Sequence, residues 1–438
     1  MASTTKPTSS TAGSKRTPGT KGSRLGRFLK TLGPGIVTGA SDDDPSGIVT
    51  YTQAGSQFGL STLWTALLTF PLMAAMQGMA ARIGLVTCQG LTGTLRTYYP
   101  RWLLYGMILF CFPAVILNIG ADIQSMGAVA NLLVPGIPAF SFSIFFTALL
   151  IYIIIRYPYQ KMASFLKWLC LGLLLYLVVP FLVHQDWAQV FRHTVVPEVH
   201  LNKDFLSILV AILGTTISPY LFFWQATMEV EDQQHLTRKK RIFVDKKMLD
   251  DMRSDINIGM LFSNLVMFFV ILTAGSVLFT ANIRQIDTVE QAAKALKPLA
   301  GNLSYTLFAL GVIGTGFLAI PVLAGCVSYM LAETMQFSMG LDKKFNEAKR
   351  FYTVIIVSLI AGLCMQFFGI SPVKALLYTA ILYGLTSPVL IALILHIGNN
   401  KKIMGEHTNT RLSNILGFLT LILMTAAAVG LIWFEVAP

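Results

Sequence analysis

The stretch GASDDDPSGIV, Gly39 to Val49, decides how the rest of the chain is read. It sets Asp42, Asp43 and Asp44 in a row, then Pro45 and Gly47, between two apolar segments, LGPGIVTGA and IVTYTQAG. Proline removes a backbone donor and clashes with the preceding turn, and glycine accepts an unwound backbone. A helix crossing this point therefore breaks, and the break carries three carboxylates. A charge at the centre of a membrane helix costs roughly 2.5–3.5 kcal/mol on insertion scales. Three in a row call for a wet cavity or a cation. The lysines and arginines map to loops and span ends, so the expected partner of Asp44 is a bound ion. Of Asp42 and Asp43, at least one is expected to line an aqueous approach.

The chain around this stretch reads as membrane-embedded. Of 438 residues, 54% are hydrophobic and 12% charged, against about 25% charged in soluble domains. Apolar runs of about 20 residues, enough to cross a hydrocarbon core of about 30 Å, recur throughout. Spans are expected near 33–56, 60–81, 102–134, 139–155, 162–184, 205–229, 256–280, 303–335, 351–369, 373–397 and 412–434. Residues 1–30 are rich in Ser, Thr, Gly and Lys. They read as a disordered cytoplasmic tail, with no signal-peptide core. Lys and Arg set the orientation. With the N-terminus inside, 27 of the 33 basic residues fall on cytoplasmic segments and six outside. That predicts a multi-pass protein of the plasma (inner) membrane with its N-terminus cytoplasmic and its C-terminus outside. It also accounts for the net charge of +12 without nucleic-acid binding. Five dispersed cysteines, Cys88, Cys111, Cys170, Cys326 and Cys364, fit neither a disulfide framework nor a zinc site.

A second break is expected in the sixth span, LVAILGTTISPYLFFWQATMEVED, at Gly214–Pro219. Interrupted segments at matching positions of two halves mark a transporter binding site near the bilayer midplane. The two breaks open two five-span halves. Because five is odd, the halves run in opposite senses. The expected organisation is a first inverted repeat over 31–200, a second over 201–400, and 401–438 holding span 11 and the C-terminus. Unwound carbonyls are tolerable only where something binds them or water reaches them. Around the breaks the side-chain donors are Ser41, Asp44, Ser46, Thr215, Thr216 and Ser218, all oxygen, with Met228 too far along its span to join them. Asp122, deep in span 3, reads as a cavity or relay carboxylate. Glu229, Glu231 and Asp232 read as a solvated span end, and Glu333 as interfacial.

LGPGIVTGASDDDPSG resembles the first span of Nramp divalent-metal transporters, which carry Gly-Pro-Gly and then Asp-Pro-Gly-Asn. LGTTISPYLFFW resembles their sixth span, and LFALGVIGTGFLAIPVLAGCVSYMLAETM their eighth. The resemblance implies an all-α membrane protein of eleven transmembrane helices. Its fold would be the LeuT-type inverted repeat (5+5) plus one helix, with helices 1 and 6 broken. The family's Asp falls on Asp44, its Asn on Gly47, its span-6 Met on Ser218 and the following His on Tyr220. A span-10 Gln falls on Thr386, and Asp122 matches an acidic position of span 3. This pattern of departures is most like the Nramp-related magnesium transporters. The implied metal site is Asp44, Ser41, Gly47, Thr215 and Ser218. Asp43, Ser46, Thr216, Tyr220, Asp122 and Thr386 would line the cavity.

Carboxylate, carbonyl and water suit Mg²⁺, Ca²⁺ and Mn²⁺, whereas thioether sulfur favours softer metals. Mg²⁺ keeps several waters and binds through one or two carboxylates. The expectation is a transporter or facilitator for hydrated divalent cations, chiefly Mg²⁺ and also Mn²⁺, working by alternating access. A membrane potential gives about 2.3 kcal/mol per charge per 100 mV. A divalent cation gains about 4.6 kcal/mol, or some thousandfold accumulation, so little or no proton coupling is required. The alternative is a proton-coupled Mn²⁺/Fe²⁺ transporter of the ordinary Nramp type. A sensor would carry a larger soluble part, and an amino-acid carrier would not face its substrate carboxylate with three aspartates. No nucleophile–base pair or phosphate loop suggests an enzyme, no cofactor is implied, and a monomer in the bilayer is expected.

Overall fold

The computed structural model describes residues 34–158, 161, 175–237, 242 and 244–436. The expected N-terminal tail lies outside these residues, as does most of the expected fifth span. Among the described residues nine helical stretches are long and apolar enough to cross a membrane. The first crossing is instead made of two short helices, α1 (Pro34–Asp42) and α2 (Pro45–Phe58). A proline opens each, at the position where its missing N–H costs nothing.

Next come α3 (Trp64–Thr87), a short α4 (Leu91–Tyr98), α5 (Arg101–Leu133) and α6 (Ala139–Arg156). The start of α3 falls four residues later than expected. Gly59 takes φ 62° after α2, and turns cover Leu60–Leu63 before the helix begins. Of the fifth span, α7 (Leu175–Leu182) is described, followed by α8 (Trp187–Val195). The sixth crossing is again double, α9 (Lys203–Thr216) and α10 (Pro219–Thr237), interrupted at Ile217 and Ser218. It runs well past the expected end at residue 229.

The remaining elements are α11 (Lys246–Ala274), α12 (Val289–Ala293), α13 (Lys297–Ala300), α14 (Ser304–Met335), α15 (Lys349–Cys364), α16 (Pro372–Asn399), α17 (Lys401–Met404) and α18 (Arg411–Val436). A π-helical turn, Gly275–Phe279, continues α11. The long helices pair as α5 with α14, α9 with α16, and α11 with both α1 and α2. The two broken crossings are thereby enclosed: every residue from Thr38 to Ser56 is buried, as is every residue from Ile208 to Val230.

Two surface expectations change. Glu333 is buried, with its carboxylate accepting from the Gly90 N–H at 2.7 Å and the Gly93 N–H at 2.8 Å. It supplies the N-terminal cap of α4, whose N-cap residue Gly90 has no side chain to do so. Glu229 is likewise buried rather than solvated, and accepts from Gln225 Nε2 at 2.9 Å. These partners satisfy carboxylates that a reading of the sequence alone leaves to water.

Candidate functional site

The first break is organised by Asp44. Its backbone is extended (φ −69°, ψ 172°), and it is the N-cap of α2. Asp44 Oδ1 accepts from the Gly47 N–H at 2.8 Å, the usual capping bond, and Oδ2 accepts from Asn118 Nδ2 on α5 at 2.9 Å. The helix thus orients the carboxylate from one side and α5 from the other. Each oxygen keeps a further lone pair. No lysine or arginine among the described residues pairs with Asp42, Asp43, Asp44 or Asp122.

Asp42 and Asp43, of which at least one is expected to line the aqueous approach, lie against α11. Both are buried, and they share the Ser263 hydroxyl of α11, which lies 2.6 Å from Asp42 Oδ2 and 3.4 Å from Asp43 Oδ1. The cause is the seating of α1 on α11. The Gly35 N–H donates to Asp255 Oδ2 at 2.6 Å. One turn on, a Cβ added at Gly39 would stand 2.2 Å from the Gly259 carbonyl oxygen. The next turn brings Asp42 to Ser263. The rungs advance by about four residues on both helices, and backbone contact at Gly39 needs glycine on both sides.

The second break meets the first. A Cβ at Gly47 would lie 3.3 Å from the Asp42 carbonyl oxygen and 3.6 Å from Thr215 Oγ1. Bonds across the junction fall into two sets. The lower halves are joined where Tyr220 OH donates to the Ser41 carbonyl at 3.2 Å and Thr38 Oγ1 donates to Gln225 Oε1 at 2.5 Å. The upper halves are joined where Tyr51 OH lies 3.1 Å from Thr216 Oγ1. Among the described residues no hydrogen bond joins α1 to α9 or α2 to α10.

Each expected site residue can be placed. Asp44, Gly47 and Thr215 come together. The Ser41 hydroxyl is spent on Val37 O within its own helix, at 2.8 Å, so its carbonyl faces Tyr220 instead. The Ser218 hydroxyl caps its own turn, on Thr215 O at 2.5 Å and Gly214 O at 3.1 Å. Ser46 Oγ reaches Leu376 O on α16 at 3.2 Å. Thr216 and Tyr220 sit in the two cross-links. Asp122 is fully buried, and neither of its carboxylate oxygens has a protein hydrogen bond. Thr386 bonds back to Leu382 and Tyr383 in its own helix. The neighbouring Ser387 reaches the break instead, 3.1 Å from the Ile217 carbonyl.

Sequence reasoning missed Asn118, Ser263, Gln225 and Ser387, all of which come from other turns or other helices. It also missed two sulfurs. Met267 Sδ of α11 is 3.7 Å from Thr216 Oγ1, and Cys326 Sγ of α14 is 3.4 Å from the Tyr220 carbonyl oxygen. The available signal was a polar residue in mid-span, which is expensive there and marks a pathway or a partner. Buried oxygens without a protein hydrogen bond gather on the same elements: Asp42 Oδ1, Asp43 Oδ2, Asn118 Oδ1, both Asp122 oxygens and Tyr383 OH. Among the described residues no three His, Cys, Asp or Glu side chains form a ready metal cage. A cation here would rest on one oriented carboxylate, opened carbonyls and its own water.

Two crossings broken at matching places, enclosed by continuous helices and joined at a buried carboxylate, define a membrane carrier with discontinuous helices. The inward-facing conformation of Mhp1 shares the fold, with a TM-score of 0.51 at 13% identity over 92% of this chain and 91% of that one. The chain belongs to the Nramp family: the family profile, described as natural resistance-associated macrophage protein-like, matches residues 35–434. That is a family of transporters, not of enzymes.

A divalent metal cation transporter MntH of Caldanaerobacter subterraneus is 26% identical over 409 residues, covering 91% of both chains. The MntH of Clostridium acetobutylicum is 25% identical over 400 residues, covering 90% of this chain and 88% of that one. Among solved structures, the Eremococcus coleocola manganese transporter in complex with an aromatic bis-isothiourea compound superposes with a TM-score of 0.70. The pair are 19% identical over 95% of this chain and 88% of that one.

Proposed function

We propose that this protein carries divalent metal cations across the membrane by alternating access, with Asp44 as the principal anionic contact of the cargo. The observation that carries this reading is the Asp44 carboxylate. It is buried, oriented by Gly47 and Asn118, unpaired by any described lysine or arginine, and set where the two breaks meet. A buried carboxyl group that stays ionised needs a compensating cation. The relatives above are named for divalent metals and for manganese, which makes Mn²⁺ the first cargo to test. Carboxylate, carbonyl and water ligands suit it.

Mg²⁺ is the second reading, favoured by the oxygen donors at the junction of Asp44, Gly47 and Thr215. Mg²⁺ binds through one or two carboxylates and retains water as its other ligands. The two nearby sulfurs are engaged with Thr216 and with the Tyr220 carbonyl. Proton coupling is weak in this reading, because Tyr220 stands where the family carries histidine and its hydroxyl is tied to Ser41. The membrane placement follows the basic residues, with the N-terminus cytoplasmic.

The test is titration calorimetry on purified protein together with dye quenching in proteoliposomes. Mn²⁺ and Mg²⁺ enter liposomes holding wild-type protein, and Asp44→Ala abolishes both binding and entry. An Asp44→Ala protein that binds at wild-type affinity sinks the assignment. Cd²⁺ bound more tightly than Mn²⁺, or acidification strictly tied to ion entry, would establish the soft-metal, proton-coupled alternative.

A further inference from the structure

A cavity lined by no residue of the broken helices has the chemistry of a lipid site. It measures about 590 Å³ and lies among α3, α11 and the segment entering α18. One end is cationic. Arg82, Lys246 and Arg253 line it, and Arg82 and Arg253 stand close enough to repel each other. Arg82 is only 8% exposed, yet its guanidinium makes no ion pair among the described residues; its one hydrogen bond runs from Nη1 to Thr408 O, at 3.4 Å. A buried guanidinium without an anion is costly. Two carboxylates, Asp250 and Glu406, also line the cavity. Both are exposed, and neither comes within salt-bridge distance of the three cations.

The other end is apolar, reaching Phe70 and Pro71 on α3 and Leu416 on α18. Phe70 is three turns from Arg82, about 18 Å along the helix at 1.5 Å per residue. Half of a hydrocarbon core of about 30 Å is about 15 Å. The cavity therefore spans one leaflet, cationic at the level of the helix ends and apolar towards the midplane. Its α3 wall includes Gly78, where an added Cβ would meet nothing within 4 Å. The wall is thus open where a chain would lie.

We propose that this groove binds one anionic phospholipid, its phosphate on Arg82 and Arg253 and an acyl chain against Phe70, Pro71 and Leu416. Arginine pairs with phosphate through parallel N–H donors, and basic pockets between membrane helices take such headgroups. Leu412, 62% exposed at the mouth, continues the apolar wall outwards. The inference is independent of the cargo.

The experiment is native mass spectrometry of the full chain, extracted from vesicles of equal parts phosphatidylglycerol and phosphatidylcholine. Wild-type protein retains one phosphatidylglycerol in preference to phosphatidylcholine. Arg82→Gln and Arg253→Gln each lower that preference by about tenfold, the loss expected of one charge-assisted hydrogen bond. Gly78→Leu fills the chain groove, abolishes retention and keeps the thermal midpoint, since leucine is the better helix former. Should Arg82→Gln fail to fold, Arg253→Gln and Gly78→Leu still decide the matter. Equal retention of both lipids, or retention unchanged in Gly78→Leu, overturns the proposal. Displacement of the lipid by millimolar inorganic phosphate alone, equally in wild type and Gly78→Leu, would mark a soluble-anion site and overturn it as well.

Discussion

Replacing Asp44 by asparagine separates its two duties. Asp44 caps α2 through Gly47 and carries the charge at the junction. Asparagine caps a helix about as well as aspartate, whereas alanine costs about 1 kcal/mol. The Asn118 amide can rotate so that its Oδ1, which has no partner now, accepts from the new side-chain nitrogen. Asp44→Asn should therefore keep the fold and the break. What it loses is the charge. At 4 Å and an effective dielectric near 20, a unit pair is worth about 4 kcal/mol, so a divalent ion gains about 8. The ion's lost hydration offsets much of that, and truncating one partner of a buried charge pair typically costs about 2–5 kcal/mol. The dissociation constant of Mn²⁺ should rise by about 30- to 5,000-fold, with unfolding of the ion-free protein unchanged. Asp44→Ala should show the same loss and an added destabilisation of about 1 kcal/mol. Calorimetry and thermal melts in one detergent read both. An Asp44→Asn protein within about threefold of wild-type affinity would refute the charge argument, whatever the alanine variant does.

Two further outcomes follow from the packing. Gly39→Leu drives a side chain into the Gly259 backbone, where even a Cβ would sit at 2.2 Å. Overpacking of this kind costs about 1–3 kcal/mol or more, so α1 should lift from α11. A Val37→Cys reporter should then gain reactivity towards a water-soluble maleimide, and unchanged reactivity would show that α1 is held elsewhere. Glu333→Ala removes two charge-assisted bonds from the start of α4, each worth about 1.5–3 kcal/mol. Amide exchange over Leu91–Tyr98 should accelerate, with Glu333→Gln intermediate. Exchange at the wild-type rate would mean that α4 does not depend on this cap.

The breaks were legible because proline and glycine in an apolar run leave few other readings, and Pro45 and Pro219 do open α2 and α10. Asp44 was legible for the same reason, since it stands immediately before Pro45. Its partners were not. Asn118 is 74 residues away and Ser263 lies 221 residues from Asp42, and no local periodicity reports which face of a buried helix meets which. Thr386 and Ser387 show how fine a distinction is needed: a one-residue step on α16 is about 100° of rotation, and it is Ser387 that reaches the Ile217 carbonyl. Glu333 and Glu229 were read as interfacial and solvated because a charge near a span end suggests water, and the sequence does not show the N–H groups or the amide that satisfy them.

The bonds across the junction, sorted as they are, make a double-leaved hinge. One leaf is α1 with α10, latched by Tyr220 and Thr38; the other is α2 with α9, latched by Tyr51. No latch joins one leaf to the other among the described residues, and the Asp44 carboxylate lies on the seam between them. In the alternating-access carrier proposed above, such a hinge would offer the cargo to one bath at a time.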